Sequence, residues 1–318
     1  FMSMRMSETA ADEIPLPERR NRPVTLAHAL EYGLVRALFC LFRLVGVDMA
    51  SAMAGGVTRA IGPLLPVSRR ADDNLRMIYP QMDAAERRKI VAGVWENLGR
   101  TVAEMAHLDK FRPGEDGGRV EVVGGEHILN AVRQGAPGIF VSGHFANWEI
   151  MAILLHRLGA RPAVIYRAAN NPLVDEFIIR TRAAAMGRLQ IPKGKRGGRA
   201  LIQAPRDGKS PALLVDQKLS DGIEVPFMGR PAMTAPAAAR LSLKFSVRIF
   251  PGRIERLEGA RFRITVEPPI ECAPTGDPAE DVRALTVLIN ERIESYVRAR
   301  PEQWLWLHRR WPKDGVAG

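Results

Sequence analysis

The clearest pattern of apolar and polar positions lies mid-chain, over residues 138–159. Ile139-Phe140-Val141 is a short β-branched and aromatic run of buried-strand length. Trp148, Met151, Ala152, Leu155 and Leu158 then recur at helical spacing, and Gly159 stands where a C-terminal cap belongs. Strand, turn and helix are therefore predicted in that order. By the same reading, residues 119–124, 161–166, 211–215, 245–250 and 261–266 are strands, while 126–133 and 173–186 are helices. Two further helices have marked starts. Asp83 with Glu86 forms a capping box ahead of the apolar face Ile90, Val91, Val94, Leu98, Val102 and Met105. Asp277-Pro278-Ala279-Glu280 opens the last helix, whose inner face is Val282, Leu285, Ile289, Ile293 and Tyr296 and which Pro301 ends.

Strands alternating with helices predict an α/β fold, a central mostly parallel or mixed sheet with helices on both faces. Such sheets bind ligands beyond the C-terminal ends of their strands. His144, Arg167 and Asp216 each directly follow a predicted strand, so they are expected to converge. Two residues five apart on one helix point about 140° away from each other. With His144 in the loop and Glu149 in the first helical turn, the carboxylate can instead fold back and fix the imidazole tautomer, giving a base with an orienting partner. Gly143 would allow close approach by a substrate, and N–H groups at the helix start could stabilise developing negative charge. The alternatives are a histidine that only caps or packs at a strand end, an Arg167 in a surface ion pair and an Asp216 that is a turn residue. Arg167 suits a phosphate or carboxylate. The stretch PKGKRGGR, residues 192–199, lacks the GK[ST] ending of a phosphate-binding loop and reads as an electropositive lip or solvated charge.

The N-terminal region adds a separate element. Residues 1–23 are polar, charged and Pro-containing and are expected to be a disordered tail. Residues 24–50 are strongly apolar with helical period: Leu34, Leu38, Leu41 and Val45 form one stripe and Arg36 and Arg43 share another face. The longest uncharged piece, around Phe39, is too short to span a bilayer, which takes about 20 consecutive apolar residues. An amphipathic membrane helix lying in the interface, its arginines towards phosphates, is expected; a helix packed on the domain is the alternative. The closing PEQWLWLHRRWP places Trp304, Trp306 and Trp311 among basic residues, in an arrangement that suits a membrane interface or a core equally.

Composition narrows the classes. Of 318 residues, 46 are Lys or Arg and 35 Asp or Glu, so the net charge of +11 favours anionic partners: nucleic acid, an anionic membrane surface or an acidic carrier protein. The two cysteines, Cys40 and Cys272, form no CxxC pair, and the six histidines show no HxH or HExxH spacing, so neither a disulfide framework nor a metal site is expected. A non-enzymatic membrane or nucleic-acid binder would account for the charge but not for a His/Glu pair at a strand end, and no nucleic-acid-binding signature is present.

Five ordered blocks, RRADDNLRMIYP, SGHFANWE, YRAANNPLVD, ALLVDQKLSDGIEVPFMGRPAMT and PEQWLWLHRRW, carry a resemblance. From the first apolar helix to its end the chain resembles the lipid A biosynthesis acyltransferases, the lauroyl and myristoyl transferase family. The resemblance implies a glycerolipid-acyltransferase-like fold in which 51–318 is the acyltransferase domain and 24–50 a membrane-associated helix. It implies a catalytic dyad at His144 and Glu149, and substrate contacts at Arg167, Asn170, Asp216 and Gln217. The FPEGT-like block of glycerol-phosphate acyltransferases is missing, and Asp216-Gln217 stands in its place. The implied reaction moves an acyl chain from an acyl carrier protein to a hydroxyl of an anionic lipid acceptor, without cofactor, metal or nucleic acid, at the cytoplasmic face of the bacterial inner membrane. A phosphatidylinositol mannoside acyltransferase and a thioesterase-like hydrolase are the competing expectations.

Overall fold

The computed structural model describes residues 23–115 and 117–312. The tail expected over residues 1–23 lies outside the described residues except for its last position. The chain opens with the helices α1 (Leu26–Val45), α2 (Val47–Ile61), α3 (Ser68–Ile78) and α4 (Ala84–Glu104). Strands and helices then alternate: β1 (Val120–Val123), α5 (Gly125–Arg133), β2 (Ile139–Ser142), α6 (Glu149–Arg157), β3 (Pro162–Tyr166), α7 (Pro172–Met186), β4 (Gln190–Pro192), α8 (Lys195–Gln203) and β5 (Ser210–Leu214). The chain continues through β6 (Ile223–Phe227), β7 (Arg230–Thr234), α9 (Ala237–Phe245), β8 (Ile249–Arg256), β9 (Phe262–Val266) and α10 (Pro278–Ala299).

The main sheet has seven strands in the order β1-β9-β8-β2-β5-β3-β4. From β8 to β4 all neighbours run parallel, and β9 turns antiparallel to β8, so the sheet is mixed as expected. Side-chain alternation along β2 sorts the core into two layers. Ile139 and Val141 join α9, α10 and the tryptophan tail on one face, whereas Phe140 joins α5 and α6 on the other. Trp304, Trp306 and Trp311 are all buried, which settles the tail's two options in favour of the core.

The predicted starts of α4 and α10 are realised by their caps. Asp83 accepts from the N–H groups of Ala85 (2.7 Å) and Glu86 (2.8 Å), and Asp277 accepts from Ala279 (2.8 Å). Other expectations are corrected. The strand expected over 245–250 starts only at Ile249, because α9 runs through Phe245 and Ser246 ends it in a left-handed conformation (φ 52°). The lip expected over 192–199 is the end of β4 followed by the start of α8. That helix needs Gly197, where a Cβ would stand 1.9 Å from the Pro192 carbonyl oxygen. The β6–β7 hairpin was not anticipated; it turns on Met228 and Gly229, both at positive φ.

The division expected at residue 50 falls inside α2. Helix α1 lies on α7, where Phe177 meets the edges of Tyr32 (6.2 Å) and Phe39 (4.8 Å) and Arg36 stacks over the same ring (5.0 Å). Arg43 donates to the Ala106 carbonyl (2.7 Å) and pairs with Asp109 (3.2 Å). Both arginines thus make contacts within the fold, while remaining exposed. Leu26, Leu30, Leu34, Leu38, Leu41, Leu44 and Val45 of α1, with Met49, Met53, Val57 and Ile61 of α2, remain exposed. No helix among the described residues is long and apolar enough to cross a membrane.

Candidate active site

The register of β2 and β5 builds the centre. Ser142 stands opposite Leu214, and the Val215 N–H continues the ladder to the Ser142 carbonyl at 2.9 Å. Two residues past each strand, His144 meets Asp216. One carboxylate oxygen, Oδ1, lies 2.8 Å from the imidazole Nδ1. The other, Oδ2, accepts from the His144 N–H at 2.9 Å and from the Trp304 indole Nε1 at 2.8 Å. Burial alone would raise the Asp216 carboxyl, but the His144 charge and these hydrogen bonds outweigh it and bring it down to about 2. Being ionised, Asp216 only accepts, so Nδ1 carries a ring proton and, in the neutral form of the ring, the lone pair is on Nε2. Asp216 is 2% exposed and the imidazole 17%, and Nε2 has no partner among the described residues. Trp148 stands edge-on to the ring, 5.2 Å between centroids.

The loop bearing His144 is held from behind. Gly143 is required because a Cβ there would come within 2.5 Å of the Phe145 ring and 3.2 Å of the Asp216 carboxyl carbon; its bare backbone makes room for both. Ala146 sits at φ 44°, costly for a residue with a Cβ. Its carbonyl accepts from Asn97 (3.1 Å) and Thr101 (2.8 Å), and its N–H donates to the Gln303 carbonyl (3.0 Å). Asn147 donates to the fully buried Glu104 (3.0 Å), which Arg256 and Ser51 (2.7 Å) also bind. Several N–H groups expected to face a substrate are occupied: Phe145 donates to Gly143, and Glu149 and Ile150 donate to Asn147.

Glu149 is not the partner of His144. Its carboxylate accepts two hydrogen bonds from Arg182 of α7, one at 2.8 Å and one shorter, and a third from the Trp148 indole at 3.2 Å. The reason lies in the packing: Glu149 opens α6, which lies against α7, while sheet pairing brings a different carboxylate to the imidazole. Asp216, expected among the substrate contacts, makes all three of its hydrogen bonds within the chain. Arg167 is exposed just past β3, Asn170 is exposed just before the Asn171 cap of α7, and Gln217 is half-buried next to Asp216. Trp304, Asn97 and Glu104 were not anticipated; Trp304 lies inside the PEQW block, but nothing in the pattern marks the other two.

The profile described as "Bacterial lipid A biosynthesis acyltransferase" matches residues 23–313. The chain belongs to this family. Its similarity to the lipid A biosynthesis lauroyltransferase of Escherichia coli (strain K12) is 29% identity over 249 residues, 74% of this chain and 76% of that protein. The lipid A biosynthesis myristoyltransferase of the same organism is 29% identical over 245 residues, 75% and 73% of the two chains. A phosphatidylinositol mannoside acyltransferase of Mycobacterium tuberculosis (strain ATCC 25618 / H37Rv) is 24% identical over 246 residues, 76% of each. In this lipid A biosynthesis acyltransferase family member, the site offers an imidazole with an open Nε2, a buried anion behind it and, among the described residues, no side-chain group arranged to hold a metal ion.

Proposed function

We propose that the protein transfers a fatty acyl chain from an acyl carrier protein thioester to a hydroxyl of a lipid A precursor at the cytoplasmic face of the inner membrane. The observation that carries the reading is the imidazole fixed by Asp216 with Nε2 open. Nε2 takes the hydroxyl proton as the oxygen attacks the thioester carbonyl carbon and the C–O bond forms. Asp216 stabilises the imidazolium so produced. When the C–S bond breaks, the imidazolium returns the proton to the leaving thiolate, giving ester and free carrier thiol. Glu149 acts as a positioning residue that holds Trp148 against the imidazole, and Arg167, Asn170 and Gln217 line the acceptor's approach. The net charge of +11 favours both an acidic carrier and an anionic lipid.

Membrane attachment rests on the exposed aliphatic side chains of α1 and α2. A continuous apolar face of this kind suits a helix pair lying in the lipid interface. The test is an assay with acyl carrier thioester and lipid A precursor, in which His144→Ala should lose roughly 10² to 10⁴ in rate while remaining folded. Near-normal turnover would remove the reading. Fatty acid released equally with and without acceptor would make the protein a hydrolase. Acylation of a phosphatidylinositol mannoside in preference to the lipid A precursor would move it to the other named acceptor.

A further inference from the structure

Near His144, the ends of β3 and β4 and the loop after β5 carry cations that make no ion pair among the described residues. The Lys193 N–H donates to the Tyr166 carbonyl at 2.9 Å, extending the β3–β4 ladder one residue past its Tyr166–Pro192 pair. Arg167 and Lys193 are therefore neighbours, on strands about 4.8 Å apart. The β3–β5 pairing brings the segment containing Asp216 and Lys218 to the other flank of Arg167. Arg167, Lys193 and Lys218 are all exposed, and none makes an ion pair with another described residue. Behind them, the half-buried His308 accepts the Lys218 N–H on Nε2 at 3.0 Å, and its carbonyl is held by Asn74 at 2.9 Å. A neutral ring accepting on Nε2 carries its proton on Nδ1, as a donor. Burial lowers the pKa of His308, Asp216 opposes that, and the charges of His144, Arg310 and Lys193 lower it further, which sets this ring within electrostatic reach of the centre.

Like charges so close repel one another unless an anion joins them. We propose that Arg167, Lys193, Lys218 and the His308 Nδ1–H form one subsite for a phosphate ester carried by a substrate. Only the naming of that substrate rests on the transferase reading: the acceptor's sugar phosphate or the phosphate of the carrier's phosphopantetheine arm.

The test follows the His308 imidazole by NMR in the full chain, during titration with glucosamine 1-phosphate against glucosamine and with 4′-phosphopantetheine against pantetheine. The phosphorylated member of at least one pair should give a saturable shift that its dephosphorylated counterpart does not. Lys193→Glu with Lys218→Glu should weaken binding at least about tenfold, matching the loss expected when charge-assisted contacts to phosphate are reversed, with Lys193→Met and Lys218→Met giving a smaller loss should the reversal unfold the chain. A rise in KM confined to the acceptor assigns the phosphate to the lipid; one confined to the donor assigns it to the carrier arm. Equal shifts within both pairs, or unchanged binding in both double variants, would overturn the subsite. His144-dependent transfer by the wild type would stand regardless. Phosphate binding without any transfer would leave the subsite and remove the transferase reading.

Discussion

Asp216→Asn separates the two carboxylates that compete for the role of partner to His144. Oδ2 receives two donors, the His144 N–H at 2.9 Å and the Trp304 indole at 2.8 Å, and Oδ1 receives Nδ1 at 2.8 Å. An asparagine must place its oxygen towards the pair of donors, since the reverse orientation would set an NH2 against two N–H groups. Its NH2 then faces Nδ1, which has to accept, and the ring proton moves to Nε2. The imidazole remains in place but is no longer a base. Loss of a general base costs roughly 10² to 10⁴ in rate, about 3 to 5 kcal/mol at 1.36 kcal/mol per tenfold. Because the oxygen keeps two of three bonds but the charge is lost, folding should suffer by about 2 kcal/mol. Glu149→Gln keeps two acceptor contacts to Arg182 and Trp148 within reach, so its rate should stay within about tenfold of wild type once it is folded. The assay is single-turnover transfer from a labelled acyl carrier, with urea unfolding as the control. A near-normal rate in Asp216→Asn together with a collapse in Glu149→Gln would refute the assignment.

Four further outcomes are expected. Gly143→Ala should lower transfer and stability together, by about 1 to 3 kcal/mol on urea unfolding, because the new Cβ collides with Phe145 and Asp216. Trp304→Phe should keep the ring packing, deprive Asp216 of the indole bond and cost about 1 to 3 kcal/mol, read by the same unfolding experiment. Leu34→Glu with Leu41→Glu should release the protein from vesicles in a flotation assay, whereas Arg36→Glu with Arg43→Glu should lower the melting temperature, because those arginines grip Phe177, Ala106 and Asp109. Asp216 titrates near 2 when folded against 3.8 when unfolded, so the folded state binds fewer protons between those values. The stabilisation of about 2 kcal/mol is present above pH 3.8 and lost as pH falls through 2, and acid titration of wild type against Asp216→Asn should show the gap closing in that window.

Much of this architecture is legible because local and global signals agree. The caps at Asp83 and Asp277 and the 3.6-residue periodicity mark α4 and α10, and apolar runs mark β2, β3 and β5. The β6–β7 hairpin is hidden because Pro226 and Pro231 pair across it and Met228 occupies a turn position usually given to Asn or Gly. Helix α2 is hidden because the apolar pattern carries through Gly46, whose positive φ (80°) is what separates it from α1. In the site, placing ligands beyond strand ends correctly brings His144 to Asp216. The error about Glu149 comes from treating nearness in sequence as nearness in space. Partners 72 residues apart are joined by strand register, which no single segment records. The grip of Asn97 and Glu104 on the loop is likewise a product of helix placement and leaves no local trace.

The indole of Trp304 reaches Asp216 across 88 residues, and the Leu305 N–H donates to the His144 carbonyl at 3.2 Å. The order of synthesis therefore differs from the order of assembly. A nascent chain that has already released His144 and Asp216 from the ribosome still lacks the stretch of tail that clasps them, while α1 has long since emerged. Closure of the site therefore waits on the last-made segment, and removing the chain from Trp304 onward would take the indole bond from Asp216 and the Leu305 bond from His144 without touching either side chain.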